Sequence, residues 1–254
     1  DNKESLLNQV NFVKEVTNIE IFKLKNINES EYKIPYVYKE ITNDHKNVIV
    51  MENIKGLTIN DIKDYDSSIK EEFGKLFVKF GLKNLFYTGA IHCDLHAGNI
   101  FFYINDNNSL LPKYQLGLID FGLCCFPNKN EQNLYYLFFT NYFYKKNFSN
   151  KKEFSDVIKN IIHDKEKYDN MCIKTKKKLF LDLENTLKAS LNRDFDITFC
   201  YNLLHTLKKY KLNVSSQFNQ ICLSLCSSNS LGKKLCNSVT KTQLNYIEEL
   251  IKIN

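Results

Sequence analysis

One stretch limits what this chain can fold into more than any other. It is the loop Ile91-His92-Cys93-Asp94-Leu95-His96-Ala97-Gly98-Asn99-Ile100, followed 21 residues after Asn99 by Asp120-Phe121-Gly122. Asp94 precedes Asn99 by five positions. Residues Asn99 to Ile104 and Gln115 to Ile119 read as two strands joined by a polar, Asn-rich loop, which is a hairpin signal. A hairpin turns the chain back on itself, so Asp120 would end the second strand beside Asn99. Either spacing alone is weak; the ordered pair with a hairpin between is specific. The bland alternative makes Asp94 and Asp120 turn residues, His92 a packing histidine, and Gly98 and Gly122 backbone punctuation.

Three oxygen-bearing side chains converging from one loop and one strand end suit phosphoryl transfer. That reaction demands little covalent chemistry from the protein. It needs a carboxylate to orient and deprotonate the acceptor, and oxygen ligands to hold magnesium. The Asp-x4-Asn spacing is that of a kinase catalytic loop, which assigns Asp94 to the acceptor side and Asn99 and Asp120 to the metal.

Composition narrows the remaining classes. With 254 residues, 43% hydrophobic and 25% charged, the chain is a globular domain rather than a disordered one. The net charge of +6 comes almost wholly from scattered lysines, and Arg193 is the only arginine. A diffuse basic field favours phosphates or anionic lipid heads. It lacks the focused basic stripe and base-reading arginines of sequence-specific nucleic-acid binding. The 8 cysteines include no C-x-x-C pair, which removes zinc-ribbon and thioredoxin-like readings. Cys222 and Cys226 read as small core residues, and the thiols as reduced ones inside a cell. No run of 18 apolar residues occurs, so Leu134 to Tyr144 reads as a buried helix, not a membrane span.

Along the chain, residues 1–16 read as a helix presenting Leu6, Val10, Phe12 and Val13. Ile34 to Tyr38 and Asn47 to Glu52 read as strands. Ser68 with Glu71 is a capping box opening a helix whose apolar side is Ile69, Phe73, Leu76, Phe77 and Phe80. Beyond about residue 130 every stripe is helical: Phe154, Val157, Ile158, Ile161 and Ile162; Ile173, Phe180, Leu183, Leu187 and Leu191; then Leu203, Leu204 and Leu207. Two more follow, Phe218, Ile221, Cys222 and Leu225, and finally Leu244, Ile247, Leu250 and Ile251. His45, His163 and His205 lack spaced partners.

The segment His92-Cys93-Asp94-Leu95-His96-Ala97-Gly98-Asn99 resembles the H-x-D-x-H-P-G-N loop of the UbiB (AarF-type) atypical kinases, proteins tied to coenzyme Q synthesis and to plastid prenyl-lipid metabolism. Ile34-Pro35-Tyr36-Val37 and Val48-Ile49-Val50-Met51-Glu52-Asn53-Ile54-Lys55-Gly56 are similar to that family's V-P-x-V and V-L-V-M-E-x-x-x-G segments. The resemblance covers most of the chain. It implies an α+β, protein-kinase-like fold over residues 1–254. Residues 1–52 would be a remnant of the N-lobe, with a helix and strands up to the hinge. Residues 53–254 would form a mostly helical C-lobe.

Met51 would gate the back of an adenine pocket, and the backbone of Glu52 and Ile54 would hydrogen-bond the adenine edge. The family's E-A-x-N motif with a Phe four later aligns Asn8 and Phe12, setting Ser5 at the glutamate position with Glu4 one place off. Ala97 replaces the family proline. Cys93 stands where ordinary kinases carry arginine, so no charge is available there to grip an activation-loop phosphate. No glycine-rich phosphate loop or strand lysine is present, and Asp1 reads as a cut point in a longer chain.

The implied function is an ATP- and Mg²⁺-dependent phosphotransferase or ATPase, with Asp94 catalytic and a lipid or small molecule as acceptor. The resemblance adds an intracellular setting (mitochondrion, plastid or membrane periphery) with peripheral membrane contact. Two rivals remain open. One is a nucleotide-binding pseudokinase scaffold. The other is a relative of the aminoglycoside or choline kinases, against which the Gly122 spelling counts.

Overall fold

The computed structural model describes residues 11–42, 47–106, 110–189, 197–236 and 247. The chain divides into two compact units, residues 1–126 with 227–243, and residues 127–226 with 244–254.

In the first unit, helix α1 (Phe12–Lys25) is capped by Asn11, whose side chain accepts a hydrogen bond from the Lys14 N–H at 3.1 Å. Of the helix expected over 1–16, residues 1–10 lie outside the described residues, and the described helix runs on to Lys25. Glu4, Leu6, Asn8 and Val10 lie outside the described residues, and Val13 is exposed. The buried face is Glu15, Asn18, Ile19 and Phe22. Two of those four are polar, so apolar periodicity alone points away from the true interior face.

Strand β1 (Tyr32–Lys33) runs parallel to β4 (Tyr114–Leu118), which pairs antiparallel with β3 (Ile100–Ile104) to give the order β1-β4-β3. The hairpin register is Ile100↔Leu118 through Ile104↔Tyr114, as the sequence spacing requires. The strands expected at Ile34 to Tyr38 and Asn47 to Glu52 reduce to a single antiparallel bridge, Val37↔Met51. Pro35 has no N–H to give a ladder, and Tyr36 and Val48 face solvent, so longer pairing gains little.

After α2 (Lys39–Thr42) and α3 (Ile59–Ile62), helix α4 (Ser67–Lys83) supplies the largest apolar face. Phe73, Leu76, Phe77 and Phe80 on it are buried as expected. The capping box expected at Ser68 does not form: the cap lies two residues earlier, at Asp66, which makes no side-chain bond. Such a box forms instead on α3, between Thr58 and Asp61. Phe73 meets Phe102 of β3 at 4.9 Å and Phe80 meets Tyr32 at 4.8 Å, both edge-to-face, which locks helix to sheet. A five-residue π-helical turn (Asn84–Thr88) ends at Gly89, where φ is 60°, and leads into β2 (Ile91–His92). That strand pairs antiparallel with β5 (Cys124–Cys125). His92 is buried, and desolvation pushes its imidazole pKa below 6.5.

The second unit is helical: α5 (Lys129–Leu137) continues into a π-helical stretch (Phe138–Tyr144), then α6 (Lys151–Ile161), α7 (Lys165–Asp169), α8 (Ile173–Ala189), α9 (Ile197–Lys209) and α10 (Ser216–Leu235) up to Cys226. Phe154, Val157, Ile158, Ile161 and Ile162 are fully buried, as are Leu183 and Leu187. Ile173, at the first turn of α8, stays exposed, and Leu204 points outward. Leu191 lies outside the described residues. Phe138, Phe139, Tyr142 and Phe143 are buried, so the greasy run is a core helix, and no helix of the described residues is long and apolar enough to cross a membrane. Cys222 is buried and Cys226 half-buried, 3.4 Å from the Cys200 sulfur.

Truncating Phe154, fully buried against Tyr142, Phe148 and Phe180, is expected to lower the unfolding free energy by about 3–5 kcal/mol in urea titration. At Gly117 an added Cβ would lie 2.8 Å from both Ile54 and Tyr103, so Gly117→Ala is expected to cost about 1–3 kcal/mol by the same measurement. The buried His92 adds a pH dependence. Its folded pKa is depressed, so below pH 6.5 the unfolded state binds a proton that the folded state refuses. Stability should therefore fall as pH drops from 6.5, by up to about 1.4 kcal/mol per unit, and His92→Gln should flatten that slope.

Candidate active site

The Asp94 loop hangs between two pairings. Upstream, β2 and β5 hold it through Ile91↔Cys125, His92↔Cys124 and a 2.8 Å bond from the Cys93 N–H to the Leu123 carbonyl. Downstream, a 3₁₀ turn (Ala97–Asn99) delivers the chain into β3. Within the loop the Asp94 carbonyl accepts from the His96 N–H and from Asn99 Nδ2, each at 3.0 Å. His96 Nδ1 accepts from the Gly98 N–H at 3.0 Å. A Cβ at Gly98 would come 3.0 Å from the His96 ring, so glycine permits that closure. The turn is thus closed by hydrogen bonds in spite of alanine at 97.

His92 spans the centre. Its Nε2 lies 3.1 Å from the Ile119 carbonyl, while Nδ1 accepts from the Asp94 N–H at 3.3 Å. Both bonds are satisfied by one neutral tautomer, with the proton on Nε2. This buried ring ties the Asp94 loop to the end of β4, and both Asp94 and Asp120 act on it electrostatically.

Asn99 and Asp120 meet across the hairpin. Ile119 donates its N–H to the Asn99 carbonyl at 3.1 Å, one residue before Asp120. The amide nitrogen of the buried Asn99 is committed to Asp94, which leaves Oδ1 as its ligating atom. Asp120 is exposed and adopts φ 61°, a left-handed conformation that costs an L-residue about 1–2 kcal/mol and is most tolerated by Asn and Asp. Its Oδ1 lies 3.4 Å from the Gly122 N–H. The structure therefore gathers Asp94, Asn99 and Asp120 into one backbone-bonded cluster. Their chemistry fits a magnesium ion, which takes one or two protein oxygens and completes its shell with phosphate and water. No group of three His, Cys, Asp or Glu side chains among the described residues could bind a metal by itself.

The segment Met51 to Ile54 passes beside the same hairpin. Met51 bridges Val37, the Glu52 N–H donates to the Tyr36 carbonyl at 2.7 Å, and Leu57 exchanges two bonds with Phe102 of β3 at 2.8 and 2.9 Å. The Glu52 N–H is thus occupied, so of that residue's two backbone groups only the carbonyl can serve a ligand. The Glu52 carboxylate is held by Lys33 at 2.9 Å. Ile54 is buried against Gly117.

Sequence reasoning missed the residues of α1 that reach this cluster. Asn18 Nδ2 donates to the Phe121 carbonyl at 2.7 Å. Glu15 lies beside the Phe121 main chain; burial first, and the nearby Asp120 second, raise its pKa. Phe22 packs edge-on against Phe121 at 5.1 Å, and Phe121 lies 5.0 Å from His92. The signal was present. The E-A-x-N motif with a Phe four later fits Glu15-Val16-Thr17-Asn18 and Phe22 with glutamate, asparagine and phenylalanine all in register. The placement on Asn8 and Phe12 left the glutamate position as Ser5.

Against this geometry, the ABC1 atypical kinase-like domain matches residues 1–155. A probable protein kinase UbiB of Actinobacillus pleuropneumoniae is 30% identical over 134 residues, 51% of this chain and 23% of that protein. A chloroplastic aarF domain-containing protein kinase of Arabidopsis thaliana, itself uncharacterized, is 32% identical over 130 residues, 48% of this chain and 22% of its own. An ABC1 family protein of Schizosaccharomyces pombe is 32% identical over 150 residues, covering 54% and 26% of the two chains. Among solved structures, a Mycobacterium tuberculosis protein in complex with erythromycin superposes with a TM-score of 0.43 and 13% identity, over 90% of this chain and 58% of that one. The chain matches about a quarter of the length of these curated relatives. With more than half of its residues matched, the chain belongs to the ABC1 atypical kinase-like family, which includes the UbiB and aarF-domain proteins.

Proposed function

We propose that this chain carries the catalytic centre of an ATP- and Mg²⁺-dependent phosphotransferase or ATPase of UbiB type. Asp94, about a third exposed, orients and deprotonates the acceptor hydroxyl or water. Asn99 Oδ1 and the Asp120 carboxylate hold the metal. Met51 flanks the adenine, with the Glu52 carbonyl and Ile54 N–H at its edge. Mg·ATP, when bound, supplies the transferable phosphoryl group and offsets the charge that develops on it.

The single observation carrying this reading is the linked set of bonds from Asn99 Nδ2 to the Asp94 carbonyl and from the Ile119 N–H to the Asn99 carbonyl. They join the three oxygen-bearing residues through two intervening contacts. The fully buried ring of Phe121 keeps water from the back of the cluster. A preorganised cluster of that kind lowers a barrier because its dipoles need not reorient during reaction.

The loop's likeness to UbiB proteins supports a small isoprenoid or lipid-pathway acceptor over a protein. The names of two Arabidopsis relatives place those proteins in the chloroplast, which supports an organellar setting here.

The test is ATP turnover by the complete protein with and without Mg²⁺. Asp94→Ala and Asp120→Ala should each lower turnover by roughly 10²-fold or more, with ATP binding retained in Asp94→Ala. Turnover unchanged in both variants would sink the assignment. Binding of ATP without turnover under every acceptor condition would favour a scaffold.

A further inference from the structure

Asp120 is an exposed side chain on a backbone held on both sides. On its N-terminal side the Ile119 N–H bonds to Asn99 and the Ile119 carbonyl to His92. On its C-terminal side the Phe121 carbonyl accepts from Asn18 Nδ2 at 2.7 Å, and the Glu15 carboxylate interacts electrostatically with the Phe121 main chain. The first pair comes from the loop and hairpin that already carry the site. The second comes from helix α1, 103 residues away from Phe121 in sequence in the case of Asn18. Glu15 and Asn18 are three apart and so share one helical face. Phe22, one further turn along, presses on the Phe121 ring.

We propose that Asn18 is a positioning residue of this centre: its grip on the Phe121 carbonyl from α1 fixes the direction in which the Asp120 carboxylate projects. Asn18 is only 4% exposed and bonds to a backbone carbonyl, so it has no route to a nucleotide or acceptor. Its influence passes through the conformation of Asp120, whose φ of 61° aspartate tolerates better than most residues but still at a cost that bonds on its flanking peptides offset. Without the amide, Asp120 relaxes toward negative φ and its carboxylate changes direction. This inference rests on Asp120 as a metal-holding residue.

The decisive measurement is Mn²⁺ binding to the complete protein with ATP present, followed by electron paramagnetic resonance, alongside the Mg²⁺ dependence of ATP turnover. Asn18→Leu keeps the volume and removes the donor. It should weaken Mn²⁺ about tenfold and raise the Mg²⁺ needed for half-maximal turnover by a similar factor, with the ATP KM at saturating Mg²⁺ little changed. Asn18→His, which keeps an N–H at the same distance from the main chain, should restore affinity. If Asn18→Leu does not fold, Asn18→Ser, whose hydroxyl is too short to reach Phe121, serves in its place and should show a loss in the same direction. Wild-type Mn²⁺ affinity in the donor-less variant, with affinity lost in Asp120→Ala, overturns the role of Asn18 alone. Wild-type affinity in Asp120→Ala overturns the reading of Asp120 and this inference with it.

Discussion

The bond from the Ile119 N–H to the Asn99 carbonyl decides where everything else in the site can be. It continues the β3–β4 ladder by one step beyond Ile100↔Leu118 and sets the register of two motifs that lie 21 residues apart in sequence. A slip by one residue would move each strand's side chains to the opposite face. Asn99 would then turn away from Asp120, and the buried faces of Ile100 and Phe102 would be exposed. Hydrophobic burial and site geometry are therefore selected by the same register.

The site is held by polar groups taken out of water, an arrangement that is stable only when each is paired. His92, Asn99, Asn18 and Glu15 are all buried, and the first three each bond to a backbone group of the loop, of the strand end or of the Asp-Phe-Gly segment. A buried donor or acceptor left unmade costs about 1–3 kcal/mol, so removing any one strands its partner. Aromatic rings fill the space between them: Phe22, His92 and Phe121 meet at 5.0–6.3 Å, each contact tilted or edge-on. The rings exclude water while the bonds fix direction, and rigidity at Asp120 needs both.

The rest of the first unit is economical in secondary structure. Strands of two residues suffice at β1, β2 and β5 because each is backed by the aromatic face of α4 or by the loop bonds, and not by length. The segment at Met51 likewise relies on one bridge to Val37 and a double bond pair from Leu57 to Phe102. In the second unit the π-helical stretch 138–144 widens the helix so that adjacent residues Phe138, Phe139 and Thr140, then Tyr142, Phe143 and Tyr144, are all buried.

Read alone, the sequence determined the hairpin, the convergence of Asp94, Asn99 and Asp120, the long apolar face of α4 and the buried stripe of α6. Each of these follows from short-range spacing, where side-chain period and turn chemistry act locally. Tertiary structure alone decided the inner face of α1, because Glu15 and Asn18 are polar residues made interior by the Phe121 segment about a hundred positions away. It also decided the loss of the Ile34 to Tyr38 strand, the shift of the α4 cap to Asp66, and the occupation of the Glu52 N–H. Periodicity records which residues avoid water; it carries no record of a polar group whose hydrogen bond is supplied from elsewhere in the chain.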